Sequence, residues 1–547
     1  MRARHRGSGC STKSRTGSRK IPRYWCFASC PLSYRRICYL KNRGSTVFVS
    51  NRSCREPPSE AKRRSANATL CGQTHCWSKR SMSNRGLHHF RENIVQKATA
   101  REPEFRHLPL FVTEYLLAKF APRGDKRKLE RLKSFVQRHC TESAPEEWVW
   151  DQAQLGRRLV LVGELTVAVN PRTGRLDGQL SALGDGKLTV PFELADRYPQ
   201  LFYGAWGTVG IAYHKDQKNL VVEDFVPIQV PGARLDAFLR GRMYFNETRW
   251  VDLLLKSLHI DPASLSEEAK HFYLLQLAPL VDGALPMLYR TNQSGSGLLD
   301  LANLFPQALH VRHPETLEAG LHRNHLDHLP GMIHTHSVIV LDPLSDFVWT
   351  RSHFHTTLLE DLRSAAERGN AADASVALVC RVRSKTRNSR LPLPEWAKSH
   401  PDFFRSVVGL AASANDGQPV APYDGPALAL DYLAEMFARL RREPRKVDLD
   451  KFLPDSLDLT DEQAVRRLAR ALLKLVYPAG DYPQDAVARW TRIALQCREA
   501  LYDEASRHRP DAFPPRAKPA EEPEPQPEAP PAPPAEEPPP AATEPSS

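Results

Sequence analysis

Two continuous apolar runs constrain the fold of this chain more than any other feature. They are SVIVLD (337–342) and ASVALVC (374–380), and both are rich in β-branched residues. Strands that are apolar on both faces are typical of a parallel sheet covered by helices on its two sides. The sequence therefore predicts an α/β core built around these runs.

A glycine loop precedes these strands, in TNQSGSGLLD (291–300), between a predicted strand and a predicted helix. In a phosphate-binding loop, backbone N–H groups converge on the phosphate oxygens, a Lys ammonium reaches the β- and γ-phosphates, and a Ser or Thr hydroxyl binds Mg²⁺. Here the loop ends in Leu298 and Leu299. Two leucines leave the charge of a triphosphate uncompensated, so the sequence predicts that tight Mg²⁺–nucleotide binding is lost.

Short segments between residues 158 and 230 predict a second, smaller unit. They are RLVLVGELTVAVN (158–170), RLDGQLSAL (175–183), KLTVPFEL (187–194), WGTVGIAYH (206–214) and NLVVEDFVPIQV (219–230). Turn-forming residues separate them, as in NPRTG and LGDGK. Several short strands with tight turns predict a small β-barrel, which either holds nucleic acid or serves as an assembly platform.

Helical periodicity flanks both predicted units. LPLFVTEYLLAKF (108–120) and KRKLERLKSFVQRH (126–139) precede the barrel, and TRWVDLLLKSLHI (248–260) and EEAKHFYLLQLAPLV (267–281) follow it. From residue 425 to residue 508 the pattern is helical again, which predicts an all-α region.

The two ends of the chain differ in composition from the middle. Residues 1–81 hold 19 Lys and Arg against 2 Asp and Glu, a net charge of +17, so the whole-chain value of +13 leaves −4 for residues 82–547. This segment also holds seven of the ten cysteines and has no apolar periodicity. A transit peptide and a zinc module are alternatives, but we favour upstream sequence preceding a start near Met82.

The other end is a Pro- and Glu-rich tail. Residues 509–547 contain 15 of the 45 prolines, and such a segment cannot bury enough apolar surface to fold. The sequence contains no run of about 18 apolar residues, so it predicts no membrane span. Cys140, Cys380 and Cys497 are scattered, which suits a reduced cytoplasm.

Seven segments, taken in order, carry a family resemblance. They are LPLFVTEYLLAKF, VVEDFVPIQVP, RWVDLLLKSL, LLQLAPLV, AADASVALV, ALDYLAEMFARLR and AVRRLARALLKLVYP. Over about residues 88–505 the chain resembles the BrxL family, the Lon-like AAA+ proteins of the BREX phage-defence system. The resemblance is weak between residues 284 and 337.

The resemblance implies an α/β fold with a small β-barrel, in which an α+β N-terminal domain precedes an AAA+ P-loop core and a helical lid. The boundaries expected are 1–81 for the leader, 82–232 for the N-terminal domain, 233–424 for the core, 425–508 for the lid and 509–547 for a disordered tail. It also implies ATP and Mg²⁺ as cofactors, a homo-oligomeric ring, double-stranded DNA as a partner, and possible contact with other BREX proteins. Because only the tail follows residue 508, no Lon-type Ser-Lys protease dyad is expected.

The family's phosphate loop can be carried over residue by residue. Its first glycine falls on Asn292, and its later two fall on Gly295 and Gly297. The nucleotide-contacting residues that this implies are Ser294, Gly295, Ser296 and Gly297. The backbone cradle can survive in this loop, but the family's Lys and Ser correspond to the two leucines.

The second apolar run repeats the loss of catalytic groups. Asp342 matches the family's Mg²⁺-organising Asp, but the Glu that activates the attacking water corresponds to Pro343. The polar residue that senses the γ-phosphate corresponds to Arg381. Arg405 matches a trans-acting arginine and Arg466 a lid arginine, and each is equally explained as a solvated surface charge.

Nine histidines lie between residues 310 and 355, and HRNHLDH spaces His322, His325 and His328 three residues apart. These histidines show neither an H-E-x-x-H signature nor the ligand spacing of a zinc finger. We therefore interpret them as polar or drifted sequence and not as a metal site. Seven cations are candidates for binding nucleic acid. Those on the helix before the barrel are Lys126, Arg127, Lys128, Arg131 and Lys133, and those beside the barrel are Arg157 and Arg158. A solvated charged face explains them equally well.

These observations predict a cytoplasmic, ring-forming, DNA-associated protein of the BrxL type with a degenerate, inactive ATPase site. A non-enzymatic DNA-binding or assembly module is the alternative from another class. A damaged relic of an ATP-dependent Lon-type protein, frame-shifted between about residues 284 and 337, is the third.

Overall fold

The two helices that the periodicity predicts before the barrel are both present, at residues 110–120 and 126–139. The computed structural model describes residues 86–139, 146–184, 186–215, 218–228, 233–314, 331–348, 358–360, 362, 374–383, 390–413 and 420–515. Strand β1 (Ile94–Gln96) is followed by helices α1 (Lys97–Ala100), α2 (Leu110–Phe120), α3 (Lys126–His139) and α4 (Glu146–Gln154). α2 is buried along most of its length, whereas α3 buries fully only Leu132 and Val136, because most of its residues are charged.

The short strands predicted between residues 158 and 230 close into a barrel. They are β2 (Leu159–Val169), β3 (Leu176–Leu180), β4 (Lys187–Val190), β5 (Ala205–His214) and β6 (Asn219–Pro227), with helix α5 (Phe192–Arg197) between β4 and β5. The strand order is β2-β3-β4-β6-β5, and β5 pairs back onto β2. The predicted small five-stranded barrel is confirmed, and apolar side chains such as Leu165, Val209 and Phe225 fill its interior.

Three helices lead from the barrel to the sheet: α6 (Leu235–Arg242), α7 (Glu247–Ser257) and α8 (Glu267–Val281). α7 and α8 begin after Asn246 and Ser266, whose side chains accept hydrogen bonds from the backbone N–H groups of Arg249 and Ala269. α8 is buried over almost its whole length, including the polar residue Gln276.

The two apolar runs form neighbouring parallel strands, as predicted. The strands are β7 (Met287–Asn292), β8 (Ala308–Val311), β9 (Val338–Leu341), β10 (Ser375–Val382) and β11 (Gly409–Ala412), and between them lie α9 (Leu301–Leu304), α10 (Met332–Thr335), α11 (Glu395–Ser399) and α12 (Pro401–Ser406). Their order is β11-β7-β10-β9-β8, and every pair is parallel. All carboxyl ends therefore lie on one edge of the sheet.

The C-terminal region is helical from Leu430, but the part predicted to be all-α from residue 425 also contains a short strand. After β12 (Pro426–Leu428), which pairs antiparallel with β1, come α13 (Leu430–Arg442), α14 (Leu459–Val476) and α15 (Gln484–His508). α14 packs against both α8 and α15. Phe513 is buried against Phe404 and Tyr502, so the packed part of the chain continues past residue 508.

A buried ion pair ties the first helices to the last ones. Lys97 Nζ lies 2.7 Å from Glu114 Oε1 and donates to the carbonyl of Leu428 at 2.8 Å, and neither charged side chain is exposed. Glu114 also accepts from the N–H of Leu430 and lies 2.6 Å from His259 Nε2. Burial would raise the pKa of Glu114, but Lys97 and His259 together hold it below its usual value.

Parts of the sequence-based expectations lie outside the described residues. These are the leader at 1–81, the tail from 516 and the histidine trio at His322, His325 and His328. Within the described ranges, no helix combines the length and apolarity needed to cross a membrane.

Candidate functional site

The residues singled out from the glycine loop and the second apolar run meet at the carboxyl edge of the parallel sheet. The loop follows β7, Asp342 directly follows β9, and Arg381 lies in β10 opposite Thr291. In open α/β sheets, ligands bind at this edge. The structure thus brings together the loop, Asp342 and Arg381.

The loop is closed by hydrogen bonds to its own residues. Asn292 is their centre: its carbonyl accepts from the N–H of Gly295, and its Oδ1 accepts from the N–H of Ser296, both at 3.0 Å. The Ser294 hydroxyl donates to the same Oδ1 at 2.7 Å, and the N–H of Leu298 donates to the Gly295 carbonyl. These N–H groups are therefore already satisfied within the protein.

Two neighbouring elements hold the loop from outside. Gln276 of α8 donates to the Gly297 carbonyl at 3.0 Å and accepts from the N–H of Leu299 at 2.8 Å. Ser413, just after β11, donates to the Ser296 carbonyl at 3.2 Å. A side chain thus accepts from the N–H at the position of the family's Ser, and this donor, like the N–H groups of Gly295 and Ser296, is already hydrogen-bonded within the protein.

The two glycines of the loop are required by its conformation. Gly295 and Gly297 have φ values of 72° and 83°, which L side chains rarely adopt. A Cβ atom at Gly295 would lie 3.3 Å from the Arg381 guanidinium, and one at Gly297 would lie 2.8 Å from Ser413 Oγ. The glycines therefore permit close packing against protein groups, which explains them without a ligand.

Arg381 neutralises Asp342 directly. Its Nε and Nη2 donate to the two carboxylate oxygens of Asp342 at 2.7 and 2.6 Å, a bidentate arrangement. Its Nη1 also donates to the Gln293 carbonyl in the loop at 3.4 Å. The hydrogen bonds to Asp342 raise the pKa of Arg381, so the guanidinium stays charged and takes the position in which a metal cation would face Asp342.

His310 of β8 completes the surroundings of Asp342. Its Nε2 lies 3.8 Å from Asp342 Oδ2 and has no hydrogen-bond partner among the described residues. Burial lowers the pKa of His310, so the ring is neutral near pH 7 and adds no charge to the site.

The space beside Asp342 does not fit a Mg²⁺–triphosphate. A cavity of about 30 Å³ lies there, bounded by the side chains of Leu298, Leu299, His310 and Asp342 among others. That is close to the volume of one water molecule, whereas ligand pockets hold about 300 Å³ or more. α9, which follows the loop, has four residues and offers little helix dipole to a phosphate.

Arg405 and Arg466 do not join this site within the chain. Arg405 is exposed on α12, where its Nη1 lies 3.3 Å from Asp402 and its guanidinium covers the Phe513 ring. On α14, Arg466 is held by Asp450 and Glu462 at 2.5 and 2.6 Å. Both arginines therefore have local partners, and their proposed roles toward a nucleotide stay predictions.

The cations singled out for nucleic acid divide into two groups. Lys133 lies 2.6 Å from Glu102 and 3.2 Å from Glu104, and Arg158 lies 3.3 Å from Glu223. Arg157 donates to Gln152 Oε1 at 2.5 Å. The other four, which share one end of α3 and are all exposed, are Lys126, Arg127, Lys128 and Arg131.

Sequence reasoning missed Gln276 and the role of Arg381. Gln276 is the single amide in the apolar stretch YLLQLAPLV, and a buried polar side chain in such a stretch signals a hydrogen-bonding duty. Arg381 was matched to a γ-phosphate sensor, but its partner is the carboxylate that would organise the metal. No group of three or more His, Cys, Asp or Glu side chains is arranged to hold a metal ion in the ranges that the structure covers.

Two family models match long parts of the chain. The family model described as "Lon-like protease BrxL-like, ATPase domain" matches residues 220–518, more than half of the chain. A second model, "BREX system Lon protease-like protein BrxL N-terminal", matches residues 88–213.

Two curated proteins and one solved structure are similar to the chain. The Lon-like protease BrxL of Escherichia coli O9:H4 (strain HS) is 23% identical over 465 residues, covering 76% of this chain and 63% of that protein. The Lon-like protease BrxL of Bacillus cereus (strain H3081.97) is 22% identical over 461 residues, covering 76% and 65%. The chain thus matches less than two thirds of the length of either relative. A full-length MCM homologue from Methanopyrus kandleri aligns with 69% of this chain and 90% of its own, at 12% identity and a TM-score of 0.34, a likeness too distant to carry an argument.

Proposed function

The chain belongs to the family of BrxL-like Lon ATPase-domain proteins, and from this membership we propose a DNA-associated, ring-forming, cytoplasmic protein of a BREX anti-phage system with an inactive ATPase site. The parallel sheet, with its glycine loop after β7 and its Asp after β9, supports an AAA+ P-loop core. The helices α13 to α15 support a lid.

One observation carries the inactive assignment: Arg381 binds both carboxylate oxygens of Asp342. A buried carboxylate that already has a bidentate cation has no charge left to organise a metal. The loop reinforces this, since most of its N–H groups donate within the protein and two leucines replace the Lys and the hydroxyl. Losing several independent contributions leaves no route to transition-state stabilisation by this site.

Turnover by the full chain tests this assignment. We expect ATP hydrolysis in the presence of Mg²⁺ to stay at the background rate, with or without duplex DNA, and to be the same for Asp342→Asn. Titration of a fluorescent ATP analogue should show no saturable binding. Mg²⁺-dependent turnover that Asp342→Asn abolishes would overturn the inactive assignment.

The four cations at the start of α3 have no acidic partner within the ranges that the structure covers, and they support DNA association. Exposed Lys and Arg side chains without acidic partners can contact phosphates, and each contact released by salt contributes about 0.9 to the slope of log affinity against log salt. Replacing Lys126, Arg127, Lys128 and Arg131 by Gln should weaken duplex binding and flatten this slope. Lys133→Gln is the matched control, because its ammonium is occupied by Glu102 and Glu104. If the wild type, the fourfold variant and Lys133→Gln bind the duplex with equal affinity, the four cations do not contact DNA.

A non-enzymatic assembly or DNA-binding module is the second candidate. The glycine loop favours it, because the loop is hydrogen-bonded to its own residues and to Gln276. Light scattering of the full chain with nucleotide, with duplex and with both separates the two. A motor-type ring changes its assembly with nucleotide, whereas a scaffold responds to duplex alone.

A further inference from the structure

The amino edge of the parallel sheet, opposite the glycine loop, carries a cluster of positive charge. Asp282 lies in the turn before β7, and its carbonyl accepts from the hydroxyl of Ser375, the first residue of β10, at 3.5 Å. Around it lie five cationic side chains from α13, the segment that follows it, and α14: Arg441, Arg445, Arg467, Arg470 and Lys474. We call these five residues and Asp282 the amino-edge cluster.

Two of the five cations have a structural duty. Arg470 donates through Nε to Asp282 Oδ2 at 2.8 Å. Arg441 is buried and donates to the carbonyls of Pro279 and Asp282 at the end of α8, where cations stabilise the negative end of a helix. These contacts fix the cluster against the sheet but leave the other three cations unexplained.

The other three cations lack partners among the described residues. Lys474 is 3% exposed, and no described side chain or carbonyl accepts from its ammonium. Arg467 is half-buried and likewise has no described hydrogen-bond partner. The Nε of Arg445 and, beside it, the hydroxyl of Tyr482 are buried and unsatisfied. Buried donors without acceptors are rare and point to a missing water or ion.

The five cations act on one another at short range. Arg467, Arg470 and Lys474 follow at i, i+3 and i+7 and so share one face of α14. Burial, together with Arg470, Arg445 and Arg441, lowers the pKa of Lys474 to about 8, although Asp282 opposes the shift. Burial, together with Arg470, also lowers the pKa of Arg467. A further carboxylate near the cluster, the exposed Asp481, acts on Tyr482.

The loop at Gly480 packs against the cluster. Gly480 has a φ of 93°, and a Cβ there would lie 3.4 Å from Arg445 Nη1. Arg470 retains 32% of its side-chain exposure. Arg445 and Arg470 are therefore more accessible to a dissolved anion than the buried Lys474.

We propose that the amino-edge cluster is a binding site for a phosphate group, held by Lys474, Arg467 and Arg445 with the Tyr482 hydroxyl as a further donor. Arginine forks and a lysine ammonium are the side chains that suit phosphate oxygens. An oxyanion with two negative charges would satisfy the orphan donors and offset the excess of cations over carboxylates. The site does not depend on the proposed function, since it lies at the edge opposite the degenerate loop.

Phosphate binding to the full chain tests the proposal. We expect inorganic phosphate to raise the unfolding temperature more than NaCl at equal ionic strength, and to bind saturably in calorimetry. Lys474→Met and Arg467→Met should each weaken phosphate binding about tenfold, or about 1.4 kcal/mol, because each removes a charge-assisted hydrogen bond to the phosphate. Arg442→Gln removes an exposed cation from the same end of α13 and should leave the affinity unchanged.

A short DNA duplex distinguishes the two sources of phosphate. Displacement of inorganic phosphate by the duplex, with weaker duplex binding by Arg467→Met, assigns the site to the nucleic-acid backbone; no displacement assigns it to a free or small-molecule phosphate. The proposal is overturned if phosphate acts no differently from chloride, or if both Met variants bind it as the wild type does. Because Arg467 is half-buried, its variant keeps the test decisive if Lys474→Met does not fold.

Discussion

The two edges of the parallel sheet hold closely matched ion pairs in opposite surroundings. At the carboxyl edge Asp342 is paired with Arg381, and at the amino edge Asp282 is paired with Arg470; the carboxylates are 7% and 6% exposed and the arginines 31% and 32%. At the first edge the carboxylate and the guanidinium are bonded to each other, and four N–H groups of the loop donate to acceptors within the protein. At the second, four more cations surround the pair and several donors are unmet. A site that has lost its ligand can close on itself, whereas a site that needs one keeps unsatisfied groups.

The largest effect should come from removing the carboxylate at each edge in turn. Asp282→Asn should lower the free energy of unfolding by about 3 kcal/mol, because it leaves five neighbouring cations without a buried counter-charge. Asp342→Asn should cost less, about 2 kcal/mol, because only Arg381 loses its partner. Urea unfolding of both variants in low salt measures the difference.

Phosphate should act differently on the two variants. It should recover part of the stability that Asp282→Asn loses and none of what Asp342→Asn loses. If the two variants lose the same free energy of unfolding, or regain the same amount in phosphate, the two edges of the sheet do not differ in this way.

Asp431, at the start of α13, is a third buried carboxylate. Unlike Asp342 and Asp282, it has no arginine bonded to it among the described residues. Its Oδ1 has no hydrogen-bond partner among the described residues, and burial, with Glu114 nearby, raises its pKa to about 7. Between its unfolded pKa near 3.8 and about pH 7, the folded protein holds a proton that the unfolded chain has lost. Stability from this group is therefore present at low pH and lost as the pH rises through 7.

Asp431→Asn should accordingly stabilise the protein more at pH 8 than at pH 5, by about 2 kcal/mol. Denaturant unfolding of wild type and variant at the two pH values gives this difference, in which the other titrating groups largely cancel. A stabilisation that does not change with pH would mean that Asp431 is ionised in the folded protein.

The smallest effects should come from the two surface arginines. Arg405→Ala and Arg466→Ala break exposed or half-exposed pairs and should each cost about 0–1 kcal/mol. Neither should change nucleotide turnover if the ATPase site is inactive. If Arg466→Ala lowers the free energy of unfolding more in the assembled protein than in the dissociated chain, Arg466 contacts a neighbouring subunit.

Local patterns predicted the elements well. The helices at 126–139 and 267–281 match the predicted segments KRKLERLKSFVQRH and EEAKHFYLLQLAPLV residue for residue. Four of the five barrel strands lie inside the predicted segments, and β5 begins one residue earlier, at Ala205. Hydrophobic period and turn residues are properties of neighbours in sequence, so they can be read from the sequence alone. The same holds for the two leucines of the glycine loop.

The pairing of charges could not be read in this way. Arg381 and Asp342 are 39 residues apart, and Arg470 and Asp282 are 188 apart. Which carboxylate meets which cation depends on strand order and helix packing, which a single sequence does not specify. The amino-edge cluster was missed for this reason: its cations resemble solvated charges of an amphipathic helix until α14 is docked on α8.

The buried contact between Lys97 and the carbonyl of Leu428 spans 331 residues of chain. Its two halves are translated far apart in time, so β1 and α2 emerge from the ribosome long before β12 and α13 can cover them. Contacts of such separation form late, since a long loop must close first. During synthesis the apolar face of α2 must therefore wait, shielded by a chaperone or by transient packing, while the barrel, whose strands are close in sequence, can already close.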